Sequence, residues 1–462
     1  MLTLKQDQLG CWSVPDLVEL DSSSGQLIID RTILPQTAEQ VVFGRGLAQQ
    51  HLAKVITEMP SEALVVVGAS SSKAPTIQTI LAHLQSLSAK AHVFQVHGRA
   101  DHQAIRSGIE LLHKTHAQQV IVIGGGTTLD VGKAIAGLAA QEGGTEIAAF
   151  QRGEKKINPK ATLPWIAVPT TSGTGSESTN NAVIELGEEK RSIRNIPPPA
   201  KIIADPSLTD SLPLSATVIA LVDALAQSLE VITNAAATPE IQAVGIAAFL
   251  SLAQGLKALS STEENIPVNN RLAAETKHTG ELNITSTSSI DGVAISPSIR
   301  DILSWGSLLM GIAFAHAGLG LPHALVHFCN KFGLAHGHMV GILLAPGLTI
   351  QAKQDPATAL RLAQVEQAFA SASQNTSIPL HFTEETKVPV NPESSRLLTW
   401  LDQSISELFT QVDLASSLQQ AGLSPADLDW IADQEYALGA SFAIPKRRAT
   451  RDELRAILQK AW

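Results

Sequence analysis

The stretch "VIVIGGGTTLDVGKAIA" at residues 120–136 places three consecutive glycines between an apolar run and a helical pattern. The apolar run is typical of a buried β-strand, and the residues after the glycines repeat with helical spacing. Glycine lets the backbone come close to a ligand, and the free N–H groups of a helix start favour a phosphate. Strand-to-helix turns also use glycine for structural reasons alone, so this stretch by itself leaves both readings open.

Around this stretch the first half of the chain alternates short apolar runs with helical ones. The strand-like runs are "ALVVVGAS", "KAHVFQVHG", "QQVIVIGGG" and "LPWIAVPTT", and their alternation with helices predicts a parallel sheet with crossover connections. After "ADPSLTDSLP" the pattern changes to long helical runs. We therefore expect an α/β domain over residues 34–210 and an all-helical domain over residues 211–462. The first 33 residues resemble an added strand pair, and about 262–298 a polar insertion.

Composition narrows the class of protein. The chain has 462 residues, 44% hydrophobic and 16% charged, with a net charge of −10, which argues against broad binding to nucleic acid or anionic membranes. Two cysteines exclude a disulfide framework and fit a reducing compartment. The first 25 residues lack the pattern of a secretory signal, and no uninterrupted apolar stretch reaches the length of a bilayer span. We expect a cytoplasmic protein.

A second loop follows another predicted strand. "AVPTTSGTGSESTNNAV" at residues 167–183 is rich in Ser and Thr, and clustered hydroxyls and exposed amides suit a pyrophosphate. Such a loop can also satisfy its own backbone. Because ligands of open α/β sheets bind at the carboxyl ends of the strands, two such loops on one sheet raise the odds of a ligand for both.

Histidines are concentrated in "GLGLPHALVHFCNKFGLAHGH" at residues 318–338. His323 and His327 are expected to share a helix face, and His336 and His338 follow a predicted turn at Gly333. A single buried histidine is most often structural, but four within sixteen positions favour metal or proton chemistry. Cys329 is expected to be a core residue.

Taken in order, these motifs resemble those of the iron-containing (group III) alcohol dehydrogenases, a family of the dehydroquinate synthase-like superfamily. "GGGTTLDVGKAIA", "PTTSGTGSEST" and "AFAHAGLGLPHALVH…HGH" each resemble a family motif, and the match begins near residue 37 and continues to the C-terminus. The resemblance implies an N-terminal α/β dinucleotide-binding domain and an all-α C-terminal domain, with the active site between them. It also implies an NAD(P)-dependent alcohol dehydrogenase or aldehyde reductase acting on a small substrate, and a homodimer or larger homo-oligomer.

The resemblance also implies a site for a divalent metal, iron or zinc. Its ligands would be Asp223, His323 and His336, together with the residue at position 227, where the family usually has His and this chain has Gln227. Two imidazoles, a carboxylate and a water still form good coordination chemistry. We therefore expect a three-ligand site of weaker affinity, with Gln227 as a weak fourth ligand. His327 would act in a proton relay, and His338 would be structural.

For the cofactor, the resemblance implies binding residues from four parts of the α/β domain: Gly68, Ser70, Gly125, Gly126, Thr127, Asp130, Thr170, Thr171, Thr174 and Leu208. The NAD-preferring members of the family have Asp at the position of Gly68. Its loss removes repulsion against a 2′-phosphate, which Ser70, Ser71 and Lys73 would bind. We therefore expect a preference for NADP over NAD.

Two alternatives remain at this stage. The first is a dehydroquinate synthase-like cyclase or lyase that uses NAD transiently. The second is a catalytically degenerate member with a binding role, because the imidazole at position 227 is lost and Ala220 and Leu221 replace the family's Thr-Gly. Leu221 is expected to crowd the nicotinamide face. The intact cofactor loops argue against decay.

Overall fold

The computed structural model describes residues 2–58, 61–87, 90–187, 189–260, 294–382, 395–434, 441–442 and 447–462. Most of the expected polar insertion, residues 262–293, lies outside this range. Fifteen strands are labelled in chain order: β1 Leu2–Gln6, β2 Trp12–Ser13, β3 Val18–Asp21, β4 Gln26–Ile29, β5 Gln40–Phe43, β6 Ala63–Gly68, β7 Ala91–Val96, β8 Gln119–Gly124, β9 Trp165–Pro169, β10 Ala182–Leu186, β11 Glu189–Ile193, β12 Lys201–Ala204, β13 Ser377–Leu380, β14 Ser441–Phe442 and β15 Arg447–Arg448.

An eight-stranded sheet forms the first domain, in the order β3-β4-β5-β12-β9-β8-β6-β7. Six neighbouring strands of this sheet, β5-β12-β9-β8-β6-β7, pair in parallel, as the alternating pattern predicts. Helices cover both of its faces: α1 Leu47–Glu58, α2 Pro75–Leu87, α3 His102–Thr115, α4 Gly126–Leu138 and the short α5 Ile147–Gln151. Because both faces are covered, every residue of β6 is buried, which explains its continuous apolar sequence.

The N-terminal residues form more than the expected strand pair. The hairpin of β3 and β4 adds antiparallel strands to the main sheet beside β5. In contrast, β1 lies between β13 and β2 in a separate antiparallel sheet. Trp12, which is 1% exposed, accepts a hydrogen bond at its carbonyl from the indole of Trp305 (2.7 Å). The segment therefore contacts both domains.

The second domain is mainly helical, as expected. Its helices are α6 Leu214–Ile232, α7 Pro239–Ser260, Pro297–Phe314, Leu321–Leu325, His336–Gln354, Pro356–Ala372, Arg396–Gln411, Pro425–Ala432 and Arg451–Lys460. The sequence did not predict strand β13 in this domain. It also did not predict the hairpin of β10 and β11, which precedes β12 in the chain. The main sheet ends at Ala204 and α6 begins at Leu214.

Helices α6 and α7 are long and apolar enough to cross a membrane by length and composition, with mean hydropathies of 1.5 and 1.4. Neither helix is an uninterrupted apolar stretch, because α6 contains Asp223 and Glu230 and α7 contains Glu240 and Lys257. In both helices 78% of the apolar window is buried inside the protein. Core helices of a globular domain meet the same criterion, so length and hydropathy here are weak evidence for a membrane.

Candidate active site

Three side chains from three helical elements meet in the second domain. Ligand atoms of Asp223 in α6, His323 in Leu321–Leu325 and His336 in His336–Gln354 all lie within 4.8 Å of one another. The Oδ1 atom of Asp223 is 3.3 Å from Nε2 of His323 and 3.8 Å from Nε2 of His336. The side chains of Asp223 and His323 are 5% and 7% exposed, whereas that of His336 is 32% exposed. The cluster is therefore open to solvent on the side of His336.

A buried carboxylate holds His323 from behind. Oε1 of Glu230 is 2.5 Å from Nδ1 of His323, and its Oε2 accepts a hydrogen bond from the backbone of Gly320. Burial opposes the charged imidazole, but the carboxylates of Glu230 and Asp223 outweigh it and raise the pKa of His323 to about 10. The contact at Nδ1 leaves Nε2 directed at Asp223, as a carboxylate–histidine pair does behind a metal.

Sequence reasoning missed Glu230. The signal is present in α6, because Asp223, Gln227 and Glu230 lie at spacings of four and seven residues on an otherwise apolar helix. Positions spaced in this way share a helix face. Three buried polar side chains in one stripe were therefore the available sign of a polar site.

A close helix contact brings His336 to Asp223. A Cβ atom at Gly337 would lie 2.4 Å from the carbonyl oxygen of Ile219 and 3.0 Å from Cβ of Asp223. One turn later, a Cβ at Gly341 would lie 2.5 Å from a methyl group of Val222. Only glycine permits this approach. In the "HGH" motif, Gly337 allows the two helices to approach, and the imidazole of His336 before it therefore lies next to the carboxylate of Asp223.

Gln227 lies beside the cluster, at the position where the resemblance implies a histidine. Its Nε2 donates to Oδ2 of Asp223 (3.1 Å), and its Oε1 is buried without a hydrogen-bond partner. The amide is 3% exposed. An unpaired buried acceptor costs about 1–3 kcal/mol, so Oε1 is available to a cation in the cluster.

His327 contacts the hairpin of β10 and β11. Its Nδ1 donates to the backbone carbonyl of Lys190 (3.1 Å). Burial and the charge of His336 lower the pKa of His327 to about 3, so the ring is neutral. The expected shared helix face with His323 is wrong, because the α-helix ends at Leu325 and a 3₁₀ helix, Val326–Phe332, follows.

Three other residues lie outside the cluster. His338 donates from Nε2 to the carbonyl of Ala415 (2.6 Å) and packs edge-on against Phe409. Cys329 is fully buried, and burial raises its pKa. The expectation that Leu221 crowds the nicotinamide face is wrong, since Leu221 is 0% exposed in the core of the helical domain.

A cleft opens at the carboxyl ends of β6, β8 and β9. We call it the sheet-end cleft, and its lining residues are Gly68, Ala69, Ser70, Ser71, Ala74, Ile77, Val96, Gly98, Gly125, Gly126, Thr127, Thr128, Thr170, Thr171, Leu208, Ser211, Leu212 and Pro213. Eight of the ten expected cofactor residues line it: Gly68, Ser70, Gly125, Gly126, Thr127, Thr170, Thr171 and Leu208. The glycine triplet leads directly into the N-terminus of α4, which leaves amide N–H groups free for an anion.

The other two expected residues, Asp130 and Thr174, are not among the lining residues. Asp130 accepts a hydrogen bond from Ser176 Oγ (2.6 Å) and lies 3.7 Å from the ammonium of Lys133. Lys133 is 0% exposed and donates to Ser176 Oγ, Thr179 Oγ1 and the carbonyl of Asn181. Thr174 contacts the glycine triplet, where a Cβ at Gly126 would lie 2.6 Å from its methyl group. These residues connect the glycine triplet and α4 to the Ser/Thr-rich loop at residues 170–181.

At the mouth of the cleft, Ser70 precedes a 3₁₀ helix, Ser71–Lys73, and its side chain makes no capping hydrogen bond. Ser71 shares a hydrogen bond with Thr170 (3.1 Å). Lys73 is exposed and is not among the lining residues. A Cβ at Gly68 would lie 2.7 Å from Oγ1 of Thr128. The aspartate expected in NAD-preferring members therefore does not fit here unless Thr128 moves.

A parallel sheet with an open cleft at its carboxyl ends, next to a helical domain bearing two imidazoles and a carboxylate, fits an enzyme that uses a nucleotide and a metal. Comparison with known protein families agrees. The family described as "Iron-containing alcohol dehydrogenase" matches residues 38–244, and "Fe-containing alcohol dehydrogenase family, C-terminal" matches residues 296–462. The chain belongs to the iron-containing alcohol dehydrogenase family. This confirms the resemblance and its enzyme class, an oxidoreductase acting on alcohols.

Similar proteins include "Alcohol dehydrogenase 4" of Schizosaccharomyces pombe, 27% identical over 429 residues, which cover 91% of this chain and 87% of that protein. "1,3-propanediol dehydrogenase" of Citrobacter freundii is 24% identical, with 86% and 89% covered. Among solved structures, an alcohol dehydrogenase from Oenococcus oeni aligns with a TM-score of 0.67 at 23% identity, covering 92% of this chain and 99% of that one. The fold class is confirmed.

Proposed function

We propose that this protein is an NAD(P)-dependent, metal-dependent alcohol dehydrogenase or aldehyde reductase that acts on a small substrate. The observation that carries the proposal is the convergence of ligand atoms from Asp223, His323 and His336 within 4.8 Å. In the part of the chain that the structure describes, this is the one group of His, Cys, Asp or Glu with such a spacing. The family implies a nicotinamide cofactor and a divalent metal, usually iron.

The residues present fit a divalent ion. Two imidazole nitrogens and a carboxylate oxygen suit iron or zinc, and the unpartnered Oε1 of Gln227 offers a weak fourth ligand. When bound, the ion supplies Lewis-acid polarisation of an aldehyde carbonyl or an alkoxide. Glu230 orients His323 for this role through its contact at Nδ1.

His327 is proposed as the proton-relay residue. Its Nδ1–H donates to the Lys190 carbonyl, which fixes the orientation of the imidazole ring. The glycine turn at Gly125–Thr127 would hold the pyrophosphate of the dinucleotide, and Thr170 and Thr171 would line the opposite side of the cleft. When bound, the nicotinamide cofactor would supply or accept a hydride.

The first experiment measures bound Fe, Zn, Mn and Ni by elemental analysis on protein purified without added metal. We expect close to one metal per chain, lost in Asp223→Ala. In Gln227→His the affinity should rise about tenfold or more, since an imidazole replaces a weak amide ligand. If all three proteins lack metal even after iron or zinc is added, the dehydrogenase proposal fails.

We propose further that NADP is preferred over NAD. The support is the absence of an acidic residue at Gly68 and the free hydroxyl of Ser70 at the mouth of the cleft. Replacing Ser70 by Asp places a negative charge where the 2′-phosphate would lie, so the NADPH/NADH affinity ratio should fall about tenfold. Ser70→Asn, similar in size but neutral, is the control. Tighter binding of NADH than of NADPH by the wild type would contradict the proposal.

Family membership favours dehydrogenase chemistry over the two alternatives. A cyclase or lyase that uses NAD transiently would not accumulate reduced cofactor during turnover, whereas an alcohol dehydrogenase would. A binding-only protein would bind nucleotide without turnover. The proposal includes a homo-oligomer in the cytoplasm, with domain limits at residues 34–210 and 211–462.

A further inference from the structure

We propose that Arg45 and Arg300 are positioning residues that hold the segment between the two domains in place as one wall of the sheet-end cleft. This segment, residues 205–213, is called the linking segment. The inference rests on the proposed function, because it assigns the cleft to the nicotinamide nucleotide. It concerns residues outside the metal cluster and the two glycine- and Ser/Thr-rich loops.

The linking segment is both a connector and a wall. It runs from the end of β12 to the start of α6. Four of its nine residues, Leu208, Ser211, Leu212 and Pro213, line the cleft. The shape of this wall therefore depends on how the two domains are joined.

At its start, Asp205 fixes the segment to the α/β domain. Its carboxylate accepts hydrogen bonds from the backbone N–H groups of Gly46 (2.8 Å) and Ala48 (2.9 Å) at the beginning of α1. It also accepts one from Ser207 (2.9 Å). Asp205 is 3% exposed, so this end of the segment is firmly placed.

Arg45, which precedes α1, reaches across to the second domain. Its Nη1 contacts Asp210 in the linking segment at 2.7 Å. Its Nε and Nη2 both donate to Asp301 in the helix Pro297–Phe314, at 3.0 and 2.7 Å, and Nη2 also donates to the carbonyl of Pro297. An isolated surface pair contributes little, but a planar guanidinium with four contacts fixes a geometry.

Arg300 holds the other end of the segment from inside the helical domain. It is 3% exposed, and it donates to the carbonyl of Leu212 (2.7 Å) and to Oγ1 of Thr217 in α6 (3.1 Å). Within the described residues, Arg300 has no ion-pair partner, and its Nε is buried without a hydrogen-bond partner. A buried guanidinium bound only to neutral oxygens costs free energy, which indicates a role in placing Leu212.

Both arginines connect the linking segment to the helix Pro297–Phe314. Arg300 belongs to this helix and contacts the segment directly, whereas Arg45 pairs with both Asp210 of the segment and Asp301 of the helix. A shift of that helix therefore moves the cleft wall at Asp210 and Leu212 at the same time. Removing the contacts of Arg45 should loosen the wall without changing any residue that lines the cleft. Nucleotide affinity should fall, while the chemical step at saturating nucleotide should change little.

The test measures dissociation constants of NADH and NADPH by fluorescence titration of the full-length, metal-loaded protein. In Arg45→Met both constants should rise about three- to tenfold, with kcat at saturating nucleotide within about twofold of wild type. Arg45→Lys keeps the positive charge but loses the planar guanidinium. Its dissociation constants should lie between those of wild type and those of Arg45→Met. For Arg300, the conservative Arg300→Lys is used because truncation of a buried arginine risks unfolding, and it should also raise both constants.

Arg451 provides the matched control. It is also a surface arginine with two carboxylate partners, Asp429 and Asp433. These pairs connect the helix Arg451–Lys460 to the end of the helix Pro425–Ala432. Arg451→Met should leave both dissociation constants unchanged. Dissociation constants in Arg45→Met equal to those in Arg451→Met would overturn the inference.

A variant of the cofactor loop separates this inference from the proposed function. Thr127 is exposed at the start of α4, and Thr127→Glu places a carboxylate where the pyrophosphate would bind. If Thr127→Glu weakens binding and Arg45→Met does not, the inference fails and the cofactor site stands. If Thr127→Glu has no effect, the cleft is not the nucleotide site and both fail.

Discussion

At the scale of single residues, the candidate metal site combines side chains that the sequence predicts with one that it does not. Asp223, His323 and His336 follow from the motif resemblance, and the structure brings their ligand atoms together. Glu230 lacks any motif that names it, and its role depends on the loop at Gly320 that folds His323 onto it. Gln227 was recognised as a departure, but only burial shows that its Oε1 has no partner.

Glu230→Gln should weaken metal binding about 10- to 100-fold, because an amide holds the imidazole less firmly than a carboxylate and lowers its basicity. The measurement is metal affinity by competition with a chelator. Ser228→Ala in the same helix is the control, since Ser228 is equally buried but bonds only to the carbonyl of Leu225. Equal loss in both variants would point to damage to α6 rather than to His323.

At the scale of secondary-structure elements, the site depends on two helices that approach closely. The helix His336–Gln354 begins at a metal-ligand candidate and contacts α6 through Gly337 and Gly341. The sequence shows both glycines, but their meaning requires knowing which helix lies opposite. The same limit applies to the 3₁₀ helix Val326–Phe332, which sequence periodicity could not separate from an α-helix.

Gly337→Ala should lower metal affinity about tenfold and destabilise the fold by about 1–3 kcal/mol, because the new methyl group collides with rigid backbone beside Asp223. Metal content and the free energy of unfolding are both measured. In Gly341→Ala the methyl group meets side chains of Val222 and Phe409 instead, so stability should fall while metal affinity stays within about threefold. A similar loss of metal in both variants would refute the specific role of Gly337.

At the scale of the whole molecule, the sequence predicts the parallel sheet, the helical second domain and the cleft between strand ends. These features can be predicted from the hydrophobic periodicity of each segment and from the order of strands and helices, both of which are visible in short stretches of sequence. It does not predict where β1 and β13 pair or how β10 and β11 reach His327, because these contacts join distant parts of the chain. Nor does it predict that Lys133 and Glu177 are buried beside the partly buried Asp130.

Stability should depend on pH through Glu177. Burial raises the pKa of Glu177 from its ordinary value of 4.5 to about 7, against the opposing charge of Lys133. A carboxyl group with a higher pKa in the folded state destabilises the fold as it ionises. The free energy of unfolding of the wild type should therefore fall relative to Glu177→Gln as the pH rises from 4.5 to about 7, and then level off.

This dependence can be measured by denaturant unfolding at several pH values. Glu407→Gln, at an exposed position in the helix Arg396–Gln411, should show no change relative to wild type over the same range. A constant difference between wild type and Glu177→Gln across this range would show that Glu177 titrates normally.

The pairing of β1 with β13 has a consequence for synthesis. Leu2 faces Leu380, and Lys5 faces Ser377, so during synthesis β1 waits for a partner strand at Ser377–Leu380. At about 5–20 residues per second, that wait is roughly 20–75 s. During this time one edge of β1 is open to wrong partners, among them the same strand of a neighbouring nascent chain. Strand β1 thus completes its pairing only after most of the described strands have been synthesised.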